Sequence, residues 1–114
     1  MLDGYIDCVG LSGEVYRYFP LASPRDAATI KPVAGNYAFL RRLPSSVYNV
    51  LYFGESAGLS DRLPCHECWP EAVRLGVTHV VAHSTPNAMA RYAEERDLIA
   101  RWNPPMNVQH RSVG

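Results

Sequence analysis

A surplus of charge is absent from this sequence: 11 basic residues meet 11 acidic ones, and the net charge is zero. That balance argues against avid nonspecific binding to nucleic acid through one broad basic face, and leaves room only for a local basic patch. Lysine is nearly missing as well, Lys31 being the only one, so the positive charge is almost all arginine. Arginine favours two-pronged contacts with phosphate or carboxylate. No apolar run approaches the length that crosses a bilayer, and no membrane partner is expected. Three cysteines, an odd count, argue against a disulfide framework and for a reducing compartment. Met1-Leu2-Asp3-Gly4 has neither the basic nor the apolar region of a signal peptide, so the expectation is a cytoplasmic protein. There are no internal repeats, and 114 residues make one domain with one modest core.

What is present is organised around Gly35–Gly54. Gly35-Asn36-Tyr37-Ala38-Phe39-Leu40 and Tyr48-Asn49-Val50-Leu51-Tyr52-Phe53-Gly54 read as two strands joined by a turn at Leu43-Pro44-Ser45-Ser46. Each strand sets a tyrosine near a glycine, and a strand glycine marks a close approach by backbone or ligand. A plain hairpin with core tyrosines is the other reading. Val15–Phe19 forms a further strand ended by Pro20, with Val15, Arg17 and Phe19 on one face and Tyr16 and Tyr18 on the other. Residues 1–13, with three glycines, read as loose.

A short helix curtailed by Pro64 is expected after Gly58, then a second over Trp69–Leu75, with Pro70 in its first turn and Gly76 beyond its end. Val77–His83 is a strand by its β-branched content. A long helix follows from Pro86 to Trp102, capped by Ser84 or Thr85 and stopped by Asn103-Pro104-Pro105. Met89, Tyr92, Ala93, Ile99 and Trp102 recur at helical spacing and predict its buried face. The fold class is α+β, a small, mainly antiparallel sheet of three or four strands flanked by helices. Residues 1–30 form an extension with one edge strand or interface, 31–108 the domain proper, and 109–114 a loose tail.

Set on that layout, Tyr37, Tyr52, Arg62, His66, Glu94, Glu95 and Asn107 supply the parts of a phosphodiester hydrolase. A carboxylate holds Mg²⁺ with water and phosphate. An arginine stabilises developing charge, and a tyrosine or histidine positions or deprotonates water. Glu95 borders the apolar side of its helix, with Tyr92, Leu98 and Ile99 three or four residues away, and is the expected metal ligand. Glu94 is expected to be a surface charge.

Gly35-Asn36-Tyr37, Tyr52-Phe53-Gly54, Arg62, His66, Glu95 within Glu95-Arg96-Asp97-Leu98-Ile99, and Asn107 together resemble the GIY-YIG nuclease superfamily. The resemblance covers residues 35 to 107. It implies a three-stranded sheet with the hairpin as one wall of the site, and a DNA endonuclease using one Mg²⁺ or Mn²⁺. Tyr37 would lie near the attacking water, Tyr52 would orient water or phosphate, and Arg62 would bind phosphate. His66 would take part in proton transfer, Glu95 would hold the metal, and Asn107 would support the site or contact phosphate. Asn36 and Phe53 stand where relatives carry aliphatic residues, both on intervening positions. Glu55 stands where excision-repair relatives carry lysine. With one metal per chain, cutting both strands needs a homodimer, two encounters or a partner protein. The alternative function is an inactive nucleic-acid-binding or protein-interaction module that keeps the fold.

Cys65-His66-Glu67-Cys68 followed by His79 and His83 imitates zinc-finger spacing. On a strand, however, those two histidines stand about 13 Å apart and cannot share one zinc. Structural roles are expected for His79, His83, Trp69 and Trp102, with base stacking as the other reading of an exposed Trp102.

Overall fold

The computed structural model describes residues 4–107. The expected loose tail from Gln109 lies outside them, as do Met1–Asp3. Five strands form one antiparallel sheet: β1 (Ile6–Val9), β2 (Val15–Pro20), β3 (Gly35–Arg42), β4 (Tyr48–Ser56) and β5 (His79–Ser84), in the order β1-β2-β5-β3-β4. The helices are α1 (Leu59–Arg62), α2 (Trp69–Arg74) and α3 (Ala88–Trp102). The α+β class and the antiparallel sheet agree with the sequence; the strand count exceeds the three or four expected.

The extra strand is β1, in a segment whose glycines made it read as loose. It is a four-residue strand that pairs with β2 as a hairpin, Cys8 opposite Tyr16 and Asp7 opposite Arg17, and depends on that partner, so its own propensity gave little sign of it. With β1 outside it, β2 is an interior strand rather than an edge. Its alternation is as predicted: Val15, Arg17 and Phe19 are exposed, and Tyr18 is fully buried.

The hairpin closes one side of the sheet, with β3 interior and β4 at the edge. β3 is hydrogen-bonded on both sides, with Tyr37 opposite Gly54 on β4 and opposite Ala82 on β5. Its burial from Gly35 to Leu40 is continuous because both faces are covered. On one face Tyr37, Phe39, Val80 and Ala82 pack against Leu59, Leu63 and Ala72 from the short helical segments. On the other, Ala38, Leu40, Phe53, Val81 and Tyr18 pack against Leu98 and Ile99 of α3.

The two motif glycines are filled from within the protein. A Cβ on Gly35 would overlap the His83 carbonyl of β5, and one on Gly54 would overlap the Tyr37 ring. They allow close strand approach and seat a tyrosine, rather than holding a surface open.

α3 departs from expectation at its start and in its face. Its N-cap is Asn87, whose side chain accepts from the Ala90 N–H at 2.9 Å, not Ser84 or Thr85. Its buried residues are Arg91, Glu94, Leu98 and Ile99, while Met89, Tyr92 and Trp102 are substantially exposed. Apolar periodicity failed here because two charged residues find partners inside. Arg91 Nε pairs with Glu55 at 2.9 Å, and its Nη1 donates to the Thr85 and Pro86 carbonyls. Asn36 Nδ2 donates to the Arg91 carbonyl at 3.0 Å, tying β3 to the helix. Asn103, at φ 46, closes α3 with a left-handed turn, as Asn103-Pro104-Pro105 predicts.

Candidate active site

Tyr37 is buried with its ring over Gly54, and its hydroxyl lies 2.6 Å from His66 Nε2. His66 is itself buried, at the end of the turn Leu63–Cys65, and meets the Tyr37 ring edge-on at 5.5 Å. Tyr52, half-buried on β4, sits beside both, 6.1 Å from the Tyr37 ring centre and 5.3 Å from that of His66. Burial pushes Tyr52 up to about 12, with smaller contributions from Cys68 and Glu95. Burial also drives Tyr37 far above the usual tyrosine range, while the Arg62 guanidinium beside it works against that rise. Glu95 is close enough to raise both phenols, so the α3 carboxylate belongs to the same electrostatic site.

Arg62, at the last position of α1, forms a two-pronged pair with Glu67, at 2.5 and 3.0 Å. The pair raises Arg62 and lowers Glu67 to about 2. Glu67 is mostly exposed and Arg62 less so. The fork that suits a phosphate is thus filled by a carboxylate from five residues on. Neither helical nor strand spacing links these two residues, so the pair was not legible from their positions.

Glu95 is partly buried and pushed up to about 7, first by burial and then by Glu55. Both influences oppose its ionised form, which makes it a carboxylate that a cation would stabilise. Its neighbour Glu94 is not a surface charge: it is 5% exposed, and one oxygen accepts from the Tyr18 hydroxyl and pairs with His83 Nε2. Glu94 lies on the sheet-facing side of α3, and Glu95, about 100° further round, is turned away from that contact.

Asn107 contacts backbone rather than open space. Its side chain accepts from the Phe53 N–H at 2.8 Å and donates to the Phe53 carbonyl at 2.9 Å. These are the outward-facing groups of β4, the sheet's edge strand, and Asn107 satisfies them as a neighbouring strand would. Its role is to hold β4 between Tyr52 and Gly54, and both the oxygen and the nitrogen of its amide are engaged in doing so.

The remaining candidates fall away from this cluster. His79 bonds Thr78 Oγ1 at 2.9 Å, and His83 belongs to the Glu94 contact on the α3 face. Among the described residues no three His, Cys, Asp or Glu side chains converge as a metal cluster. Cys8 and Cys68 are buried free thiols and Cys65 an exposed one. Trp69 packs edge-on against Phe39, while Trp102 donates to the Val9 carbonyl and is stacked by Arg101. A hollow of about 660 Å³ between Pro20, Trp69, Val77 and His79 contains none of the predicted site residues and is mostly apolar. No helix among the described residues is long and apolar enough to cross a membrane.

The chain matches no protein-family model, no curated protein and no solved structure with which it was compared. The chemistry of the site therefore rests on its own geometry.

Proposed function

We propose that this protein is a GIY-YIG-type endonuclease that hydrolyses DNA phosphodiester bonds with one Mg²⁺ or Mn²⁺. The observation that carries the reading is the convergence of Tyr37, Tyr52, Arg62, His66 and Glu95 from β3, β4, the short helical segments and α3. A binding module has no use for a half-buried carboxylate that its surroundings push towards neutrality, near two phenols of which one has a guanidinium beside it. Glu95 would hold the metal, and its raised value fits that donor role. A divalent ion there supplies positive charge against the negative charge that develops on the scissile phosphate. Tyr37 and Tyr52 orient water and phosphate through their hydroxyls. Arg62 binds a phosphate oxygen once Glu67 releases it. Asn107 keeps β4 in place.

Cleavage of plasmid and branched DNA by the wild type, Glu95→Gln and Arg62→Ala tests the reading. The wild type should cut with Mg²⁺ or Mn²⁺, and each variant should lose about a hundredfold or more in rate. A wild type inert on every substrate with both metals hands the site to the inactive-module reading, and variants that cut normally overturn the residue assignment.

Glu67→Gln separates occupancy of the arginine from stability. The ion pair is largely exposed, so its removal should change stability by under about 1 kcal/mol. The freed guanidinium should tighten binding of uncleaved DNA in Ca²⁺, read by fluorescence anisotropy. Unchanged or weaker binding would show that Glu67 does not compete with phosphate.

A further inference from the structure

We infer that His66 is a fixed hydrogen-bond donor to Tyr37, a positioning residue that carries its proton on Nε2 throughout and takes none from the phenol. This goes beyond the nuclease reading and rests on it only for the meaning of the phenol's orientation.

The decisive partner is a backbone group. The Cys68 N–H donates to His66 Nδ1 at 3.0 Å. A peptide N–H can only donate, so Nδ1 must present its lone pair. Turning the ring over would set a C–H against that N–H and lose the Tyr37 contact, so the ring's orientation is determined by its neighbours as well. A neutral imidazole has one N–H, and with Nδ1 accepting it must be on Nε2. Nε2 lies 2.6 Å from the Tyr37 hydroxyl, and the phenol oxygen is therefore the acceptor.

Local structure keeps this arrangement rigid. The turn Leu63–Cys65 contains Pro64, and α2 begins with Pro70 in its first turn, bracketing the segment that bears His66. The His66 carbonyl accepts from the Trp69 N–H at 3.1 Å, closing the backbone two residues around the side-chain bond. Packing against Phe39, Tyr37 and Tyr52 fixes the imidazole on its other sides. A second proton on Nδ1 would set two N–H groups head to head and break the Cys68 bond.

The consequence falls on Tyr37. Its oxygen takes the His66 N–H and has the Arg62 guanidinium beside it, both of them donors only. The phenol's own hydrogen is left to point away from both. His66 thereby sets the direction of the Tyr37 proton, and its imidazole ends the reaction in the protonation state in which it began.

Long-range ¹H–¹⁵N correlation of the histidine rings in the wild-type protein reads the tautomer directly, and needs no cleavage activity. His66 should show the Nε2–H pattern across about pH 5 to 8, where histidines ordinarily titrate. An Nδ1–H pattern, or conversion to imidazolium within that range, overturns the inference whether or not the protein is a nuclease. Where cleavage is measurable, His66→Gln retains a donor and should stay within about tenfold of wild type with the same pH profile. His66→Leu should fall well below it. A glutamine variant that loses about a hundredfold or more and changes the pH profile would mark a proton shuttle instead.

Discussion

Glu94→Ala is expected to lower the stability of the folded protein by about 2–4 kcal/mol, for buried donors that lose their shared acceptor. One carboxylate oxygen of Glu94 accepts from the Tyr18 hydroxyl at 2.5 Å and pairs with His83 Nε2 at 2.6 Å. Tyr18 is fully buried, among Cys8, Phe53 and Leu98, and its hydroxyl would be left without an acceptor. The contact spans α3, β2 and β5, so its loss loosens three elements at once. Burial, then Asp7 and Glu94, push the Cys8 thiol up to about 12, so this acid also acts on the neighbouring buried thiol. In a domain of this size the loss corresponds to a melting temperature lower by roughly 10 °C or more. Glu94→Gln keeps an oxygen for the two donors and should cost distinctly less. Urea unfolding with an unchanged slope checks both values. A change below about 0.5 kcal/mol for Glu94→Ala would mean that the residue is the surface charge its sequence context predicts.

That contrast shows where sequence reading succeeds and where it stops. The hairpin was legible because β-branched and aromatic residues, a Pro-Ser-Ser turn and paired glycines all point the same way. Ser45 and Ser46 even take left-handed conformations, at φ 71 and 61, in the turn expected of them. α3 was legible as a helix but not in rotation. Helical spacing of Met89, Tyr92 and Trp102 outvoted Arg91 and Glu94, and hydropathy cannot register that Glu55, Tyr18 and His83 wait opposite those charges. β1 was missed because a four-residue strand gains its stability from pairing with β2, a contact that local pattern does not encode. The site divides the same way. Tyr37, Tyr52, Arg62, His66 and Glu95 were nameable through the resemblance to the GIY-YIG superfamily, and they lie together. Whether a side chain faces solvent, backbone or another side chain depended on the fold: Asn107 turned inward to β4, and Arg62 turned to Glu67.

Glu95 should make stability depend on pH in a direction opposite to that of an ordinary paired carboxylate, and move the pH dependence of metal affinity up towards neutrality. Its value rises from 4.5 to about 7 on folding, because burial and Glu55 disfavour the charge. The folded protein therefore holds the Glu95 proton more tightly than the unfolded chain. The stabilisation is fully present below about 4.5 and is lost as pH rises through about 7. Water reaches part of the side chain, so screening reduces the contribution to about 1–2 kcal/mol. Glu95→Gln removes the titration. It should match the wild type near pH 4 and exceed it by that amount near pH 8 in metal-free unfolding experiments. A divalent ion needs the ionised form, so wild-type Mg²⁺ affinity should fall about tenfold per pH unit below about 7 and level off above it. Glu95→Gln should show no such dependence and no Mg²⁺-induced rise in melting temperature. Wild-type stability that instead grows between pH 5 and 7 relative to Glu95→Gln would mean that a positive group already compensates this carboxylate. The metal assignment would then lose the electrostatic deficit on which it rests.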